Sequence, residues 1–336
     1  MKYIPMLLML LLAPAAAKER VQTTNNLFDD YEIKTVAARS ILIEGEVQDP
    51  GPVDLNPLPL RNAAVKELAF ENGKRVFKGA FFVSGYALCD ILNGKAIKKS
   101  PENTFGSPVD MYVIVENDKG AKTVFSWGEI YYRESYDLLV ARSVQPVYPA
   151  RAKASYPLPQ EPRLVCGSDL LNFRFLDNPI KITVKSFHGP LPAVKPKDVF
   201  SPEIAIAAKS GSAKVGEIGS SAALRKNISV LYGHGMGFRE ALDFAGYSLK
   251  DLIADRIPWS PENARDTIAV VSAKDGYRSV FSASEIMNRS DDKEILLNDL
   301  KDQSNGGRYT LIVTGDFFAD RNVKSVEKIE LIRIAP

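Results

Sequence analysis

The sequence predicts a mixed α+β protein built from two tandem units, each with a small mixed sheet and short helices. Three observations support this fold class, all of them internal repeats. One stretch occurs at 118–130 and again, slightly shortened, at 275–286. A Gly-Tyr pair opens an amphipathic helix pattern at 85–92 and again at 246–253. An aspartate followed five residues later by an arginine precedes the last strand pattern of each half.

The first half begins as an alternation of strands and short helices. A β-branched, apolar run at 40–47 predicts a strand, which the following Asp-Pro-Gly-Pro would end. We predict a short helix within 57–68 and another strand at 75–82. The apolar residues of 88–92 then recur at the i, i+3, i+4 spacing of one helix face.

Both halves continue with a hairpin and a closing module. A strand is predicted at 111–116 and at 267–272, and a tight turn leads from each into the repeated stretch as its partner strand. Further strands follow in the same order in both halves. They are predicted at 163–166 and 180–184 in the first half and at 310–313 and 329–332 in the second, after the apolar runs 138–140 and 295–297.

This order of landmarks divides the chain into five segments. Residues 1–17 are interpreted as a signal peptide and 18–39 as a leader. The first unit spans 40–188 and the second spans 203–336. The proline-rich stretch between them, 189–202, predicts an extended linker.

The N-terminus has the pattern of a cleaved export signal. Lys2 supplies a positive charge, 6–12 form an apolar run, and Ala15-Ala16-Ala17 offers a small-residue cleavage site near Ala17. The apolar run is too short for a membrane span, which needs roughly 18 apolar residues. No twin-arginine pair and no lipidation cysteine accompany it. We therefore expect a periplasmic or secreted protein without a transmembrane segment.

Composition is that of a soluble globular protein. Of the 336 residues, 45% are hydrophobic and 25% charged, and the formal net charge is +2. The 43 basic residues are scattered along the chain instead of forming a basic patch. We therefore expect no nucleic-acid partner.

The repeated landmarks resemble a known family. The Gly-Tyr helix, the hairpin that reads Asp-Gly-Tyr, Val-Phe-Ser and Glu-Ile within 275–286, and the final Asp–Arg strand together resemble the sulfite-oxidase-type molybdopterin-binding fold. The resemblance covers about 40–187 and 203–334. It implies two such units with mixed sheets, and a molybdenum–pterin cofactor held through one cysteine thiolate in a loop upstream of the Gly-Tyr helix.

The expected thiolate ligand is missing from that loop. The upstream segments 65–79 and 227–243 contain no cysteine, while Cys89 lies in the helix and Cys166 in a late strand. We therefore expect no cofactor, with molybdopterin as the alternative. A disulfide between the two cysteines stays open, although Cys89 aligns with Lys250, at a position expected to be exposed.

One glycine-rich stretch is the candidate binding site. Gly233, His234 and Gly235 lie just upstream of the second Gly-Tyr helix, followed by Arg239. Glycines permit close backbone approach to a ligand, and histidine is a versatile polar partner. We predict that these four residues line a small-molecule pocket. The alternative is a loop or bulge with an exposed histidine.

The remaining motifs admit a structural and a functional interpretation. The pairs Asp169–Arg174 and Asp316–Arg321 predict structural salt links or an anion site. Glu129 and Glu285, each three residues after a serine, predict capping boxes, with a catalytic role as the alternative. Aromatic residues near 127–136 predict either core or a recognition surface.

The expected function is an exported, non-catalytic binding or interaction protein on a duplicated molybdopterin-oxidoreductase-like scaffold. Its partner would be a small molecule or a protein. The alternative is a periplasmic molybdopterin-dependent oxidoreductase or its accessory subunit. A third interpretation is a subunit that docks on a membrane or redox complex through its tyrosine-rich face.

Overall fold

The computed structural model describes residues 27–29, 31–37, 39–133, 136–151, 155–192, 199–209, 211–216, 218, 222–301 and 307–334. The first unit and the residues before it contain β1 (Phe28–Asp29), β2 (Lys34–Thr35), β3 (Ile41–Gly45), β4 (Gly51–Val53), β5 (Arg61–Glu71), β6 (Lys74–Ala87), α1 (Leu88–Leu92), β7 (Met111–Asn117), β8 (Lys122–Ser126), α2 (Trp127–Tyr131), β9 (Leu138–Pro146), β10 (Tyr148–Pro149), β11 (Arg163–Cys166), β12 (Leu176–Asp177) and β13 (Pro179–Ser186).

The second unit contains β14 (Ile204–Ala208), β15 (Gly211–Val215), β16 (Leu224–Gly233), β17 (Gly237–Ser248), α3 (Leu249–Ile253), α4 (Pro261–Asp266), β18 (Thr267–Ala273), β19 (Arg278–Ser282), α5 (Ala283–Met287), β20 (Ile295–Asp299), β21 (Tyr309–Val313) and β22 (Val326–Arg333). Three 3-10 turns complete the described elements, at Pro108–Asp110, Asn172–Arg174 and Ala319–Arg321.

The predicted fold class is wrong. The protein is mostly β, with 50% strand and 12% helix, and its described residues form curled sheets in a propeller-like arrangement with five short helices. This is not the α+β arrangement of sulfite-oxidase-like units. The individual predicted strands are present, whereas the predicted proportion of helix is too high.

Two long hairpins account for most of the discrepancy. The helix predicted within 57–68 is part of β5, which pairs with β6 along its whole length. Asn72 and Gly73 both have positive φ, and they connect the two strands by the tight turn that such hairpins prefer. The second hairpin, β16 with β17, occupies the segment treated in the sequence as the loop upstream of the Gly-Tyr helix.

The two halves repeat one strand order. One sheet of each half runs β4-β3-β13-β7-β8 or β15-β14-β22-β18-β19, and each contains a single parallel pair. The other sheet runs β12-β11-β9-β6-β5 or, without an equivalent of β12, β21-β20-β17-β16. Strands β7 and β18 are buried on both faces, which explains their nearly continuous apolar sequences.

Three of the five apolar clusters among the described residues contain most of the core. One lies inside each unit, centred on residues such as Phe125 in the first and Phe281 in the second. The third joins the units: Tyr112 and Val124 of the first pack with Val270 and Val280 of the second. The two units therefore share a core.

The segment before the first unit also makes ordered contacts. In the predicted leader, β1 pairs with β10 and β2 pairs with β9. The proposed signal peptide at 1–17 lies outside the described residues. Within the described part of the chain, no helix has both the length and the apolar character needed to cross a membrane.

Candidate functional site

The predicted pocket residues lie at the tip of the second long hairpin. Gly233 ends β16, and His234 and Gly235 form the connection to β17. Gly237 has a φ of +71°, a conformation that favours glycine. A side chain added at Gly235 would meet nothing within 4 Å, and Arg239 is exposed on β17. These residues therefore share an open tip, and the small-molecule pocket stays a prediction.

His234 is tied to the 3-10 turn at Ala319–Arg321. Its Nδ1 lies 2.8 Å from Oδ1 of Asp320, and its backbone N–H donates to Oδ2 of the same carboxylate at 3.2 Å. The ring packs edge-on against Phe318, with centroids 6.1 Å apart. The side chain is nevertheless 63% exposed. This contact fixes the tip against the body of the second unit.

Around this tip, large apolar side chains face solvent. We define the hairpin surface as Ile228, Val230, Tyr232, Met236, Phe238 and Phe317, whose exposed fractions are 69%, 59%, 38%, 74%, 65% and 50%. Ile228, Val230 and Tyr232 alternate along β16, so they share one face of the sheet. Tyr232 pairs with Phe238 across the hairpin and its ring lies 5.4 Å from that of Phe317. The surface is therefore continuous.

The first hairpin is an internal control for this feature. In the first hairpin Arg61 pairs with Gly85 and a bulge follows Glu67. In the second, Arg225 pairs with Gly246 and a bulge follows Leu231. These two landmarks align the hairpins residue by residue. The exposed positions equivalent to Lys226, Ile228 and Val230 are therefore Asn62, Ala64 and Lys66. The apolar row along β16 therefore has no counterpart at these three positions of β5, although Phe70, Phe77 and Phe82 of the first hairpin are also 47%, 50% and 40% exposed.

The two hairpins also differ in what covers them. In the first unit, the ring of Phe173 packs on Trp259, which precedes α4 of the second unit, with centroids 5.6 Å apart. The leader adds Phe28, whose ring lies 5.4 Å from Phe82. In the second unit the residue equivalent to Phe173 is the polar Asp320, and Phe317 remains half exposed. The second hairpin therefore lacks the aromatic contacts that partly cover the first, although Phe70 and Phe77 of the first hairpin also remain 47% and 50% exposed.

A second candidate, the Asp–Arg motif, forms a buried ionic network. Arg174 makes two hydrogen bonds to Asp169, at 2.7 and 2.8 Å, and Nη1 donates to Glu129 at 2.9 Å. Arg321 repeats this arrangement with Asp316 at 2.7 Å and Glu285 at 3.0 Å. Both arginines are fully buried. The predicted salt links are confirmed.

The network crosses between the two units. Nη1 of Arg174 donates to Ser282 Oγ at 3.1 Å, and Nη1 of Arg321 donates to Ser126 Oγ at the same distance. Ser126 and Ser282 are also the N-cap residues of α2 and α5, with Glu129 and Glu285 completing both predicted capping boxes. Each arginine therefore helps to hold the start of a helix in the opposite unit.

The electrostatics of the network are not symmetric. Burial raises the pKa of Glu129 above its ordinary value, even though Arg174 favours the carboxylate. Burial also acts on Glu285, but Arg321, Arg133 and the Ser126 hydroxyl bring the pKa of that carboxyl below its ordinary value. With Glu129 and Glu285 at most 1% exposed, these groups hold the fold together and do not face a substrate.

The cysteines do not fit a thiolate-bound metal cofactor. Both are free and buried, so the expectation that Cys89 is exposed is wrong. Burial raises the pKa of Cys89 to about 11 and that of Cys166 well above its ordinary value. A soft metal centre needs the deprotonated thiolate, which these environments disfavour. We therefore derive no step through a molybdenum–pterin group.

The tyrosine-rich face predicted near 127–136 is not a surface. Trp127 and Tyr132 are 7% and 8% exposed and belong to the first core. Tyr131 stacks on Trp127, with centroids 4.5 Å apart. Only Tyr136 is largely exposed among these aromatic residues, at 56%. The core interpretation is therefore correct for most of this segment.

Two cavities lie inside the first unit. One, between β5, β6 and β9, has a volume of about 20 Å³, and Val65 and Phe81 are among its lining residues. The other, beside Cys89 and Glu129, has about 10 Å³. Such volumes suit about one water molecule each. Among the described residues, no group of three or more His, Cys, Asp or Glu side chains is arranged to hold a metal ion.

Comparison with known proteins does not assign this chain to a family. No protein-family model matches this chain, and no curated protein matches it.

Sequence reasoning found the tip of the hairpin but missed its apolar face. The run 228–232 alternates β-branched or aromatic residues with others, which is a strand signal. The predicted loop upstream of the Gly-Tyr helix covers this run, so the prediction is wrong where the alternation favours a strand. Phe317 carries no comparable signal, since its exposure depends on the packing around the neighbouring turn.

Proposed function

We propose that this is an exported, non-catalytic binding protein that docks a partner polypeptide on the hairpin surface. The observation that carries the proposal is the exposed apolar face of β16, where the duplicated first hairpin has Asn62, Ala64 and Lys66. The export pattern of residues 1–17 supports an extracytoplasmic location.

The composition of the surface favours a protein partner over a small molecule. Tyrosine, phenylalanine, methionine and arginine are enriched in protein interfaces, and the surface together with the neighbouring Arg239 supplies all four types. Continuous exposed apolar patches are a feature of interaction sites in soluble proteins. Small-molecule sites are concave, and neither of the two described cavities is lined by residues of this surface.

The arrangement of polar groups supports a non-catalytic role. The two glutamates and two arginines that resemble catalytic groups in the sequence are buried and bonded to one another. His234 is exposed, but Asp320 and the ring of Phe318 account for its described contacts. The groups that face solvent at the hairpin are mainly apolar, which suits recognition.

Site-specific photocrosslinking in the native host tests the proposal. A benzophenone amino acid replaces Phe238 in the full chain, and the matched control replaces Phe77, the equivalent residue of the first hairpin, which is 50% exposed. We expect a discrete adduct at position 238 and at least a tenfold weaker one at position 77.

A second variant keeps the result interpretable. Adding Val230→Lys to the position-238 chain should abolish the adduct, because it places a charge in the apolar face. Equal adducts at both positions, an adduct that survives Val230→Lys, or no adduct at all would each overturn the proposal.

A further inference from the structure

We infer that β16 pairs with β16 of a second copy of this chain, antiparallel, to form one continuous sheet across a dimer. The inference rests on the proposed function, since it names a partner polypeptide for the β16 row of the hairpin surface, Ile228, Val230 and Tyr232. It adds a binding mode, strand addition at a sheet edge, and a specific register.

β16 has the backbone of a docking edge. It lies at the end of its sheet and pairs with β17 on one side only, among the described residues. An edge strand presents a row of unpaired N–H and C=O groups to a further strand. Natural edges are commonly blocked by a central lysine, and the first hairpin has Lys66 at that place. The equivalent residue of β16 is Val230.

The sequence of β16 is complementary to itself in one register. When Ser229 lies opposite Ser229 of the copy, Ile228 faces Val230 of the copy on the exposed side, and this pair occurs twice. Lys226 then faces Tyr232 of the copy, so a cation meets an aromatic ring. Arg225 faces Gly233. No basic side chain lies opposite another, which like-charge repulsion would otherwise penalise.

The other hairpin lacks this complementarity. In the equivalent register, Lys66 of β5 would face Ala64 and Asn62 would face Leu68, so a charge and an amide would lose water without gaining partners. Phe28 of the leader also covers Phe82 beside that edge. The dimer therefore forms through β16 of the second unit, and the edge strand β5 of the first unit stays unpaired on its outer side.

Sedimentation equilibrium of the full chain tests the association. The exported chain, which lacks residues 1–17, should show a concentration-dependent increase from its monomer mass toward twice that mass. Ile228→Ala with Val230→Lys copies residues Ala64 and Lys66 of the first hairpin, so it is compatible with a folded strand. It should weaken association at least tenfold. Ala64→Lys on the first hairpin is the matched control and should not change it.

Cysteine substitution tests the register. Ser229→Cys should form an intermolecular disulfide under a mild thiol oxidant, because residues directly opposite lie about 4.5–5.5 Å apart. Asn227→Cys should not, since residue 227 and its copy would be separated by four strand positions, roughly 13 Å. The native Cys89 and Cys166 are buried and should stay reduced.

The outcomes separate this inference from the proposed function. A monomer at every concentration, or equal crosslinking at positions 227 and 229, overturns the dimer. A photocrosslink from position 238 to a different polypeptide would in that case leave the proposed function standing. If the chain is monomeric and position 238 also gives no adduct, both the dimer and the proposed function are overturned.

Discussion

At the scale of single residues, Arg174 is the most consequential side chain outside the apolar core. It is fully buried and bonds Asp169, Glu129 and Ser282. Substituting Arg174→Met would leave two buried carboxylates without their cation. We expect the free energy of unfolding to fall by about 3–5 kcal/mol, as when one partner of a buried ion pair is removed. Urea denaturation measures this directly.

An exposed pair provides the control. Arg333 bonds Asp266 at 2.6 Å but is 55% exposed, so Arg333→Met should cost about 0–1 kcal/mol. Arg321→Met should lower the free energy of unfolding about as much as Arg174→Met. Each arginine bonds an aspartate and a glutamate of its own unit and a serine of the other unit. Similar small losses from all three substitutions would contradict the role assigned to the network.

The two buried glutamates should produce opposite pH dependences. The pKa of Glu129 is raised by burial, so its contribution to stability is present below the ordinary glutamate value of about 4.3 and is lost as pH rises through the raised pKa. The pKa of Glu285 is lowered, because Arg321 and Arg133 outweigh burial. Its contribution is therefore present above the ordinary value and is lost as pH falls through the lowered pKa.

Urea denaturation across a pH series, from roughly pH 3 to pH 8, checks this expectation. Glu129→Gln should flatten the loss of stability on the alkaline side of the ordinary pKa. Glu285→Gln should flatten the loss on the acid side. If both substitutions altered the same limb of the profile, the assigned directions would be wrong.

The sequence predicted much of this network but not its geometry. The five-residue spacing from Asp169 to Arg174 and the Ser-x-x-Glu pattern at Ser126 are local, so both were recognisable. The bonds from Arg174 to Ser282 and from Arg321 to Ser126 join residues 108 and 195 positions apart. Such contacts depend on how the units pack, which local spacing does not encode.

At the scale of elements, Gly85 shows how closely the strands approach. It lies at a bulge where β6 pairs with β9, and a Cβ there would lie 2.4 Å from the carbonyl oxygen of Val140. Gly85→Ala should therefore lower the free energy of unfolding by about 1–3 kcal/mol, since a backbone must move.

Gly106→Ala is the control for that substitution. A Cβ at Gly106 meets nothing within 4 Å, so the change should leave the urea midpoint nearly constant. Equal midpoints for the two alanine variants would show that β6 and β9 tolerate the added methyl group and that the close approach is not rigid.

The strands predicted from the repeated hairpins are present in the structure. Strands β7, β8, β18 and β19 follow the predicted pairs, each with a short turn between its members. The failure lies at β5, where Val65, Leu68 and Ala69 also have helical spacing. The turn at Asn72-Gly73 and the long pairing with β6 decided between the two interpretations.

At the scale of the whole molecule, the two units should unfold together. Each unit contains one tryptophan, Trp127 in the first and Trp259 in the second. Trp259 also contacts Phe173 of the first unit, and the buried network and two apolar clusters span both units. Fluorescence of the single-tryptophan variants Trp127→Phe and Trp259→Phe should give coincident urea transitions. Two separated transitions would show independent units.

The fold class was the least predictable level. The helices predicted after the two Gly-Tyr pairs are present, since α1 and α3 each begin two residues after the tyrosine, while the pairs themselves lie at the ends of strands β6 and β17. The resemblance built on those motifs implied an α+β fold, yet each of these helices has only five residues. The surrounding sheets determine the architecture, and their curvature arises from long-range pairing that single motifs do not specify.

The exchanged contacts of the buried network also set an order of events during synthesis. Ser126 leaves the ribosome 159 residues before its partner Glu285, an interval of roughly 8–30 s at ordinary elongation rates. During that time Arg174 already has Asp169 and Glu129 of its own unit as partners. We therefore expect the joining face of the first unit to carry paired charges before the second unit buries it, and such a face should adhere to neighbouring chains less than an apolar one would.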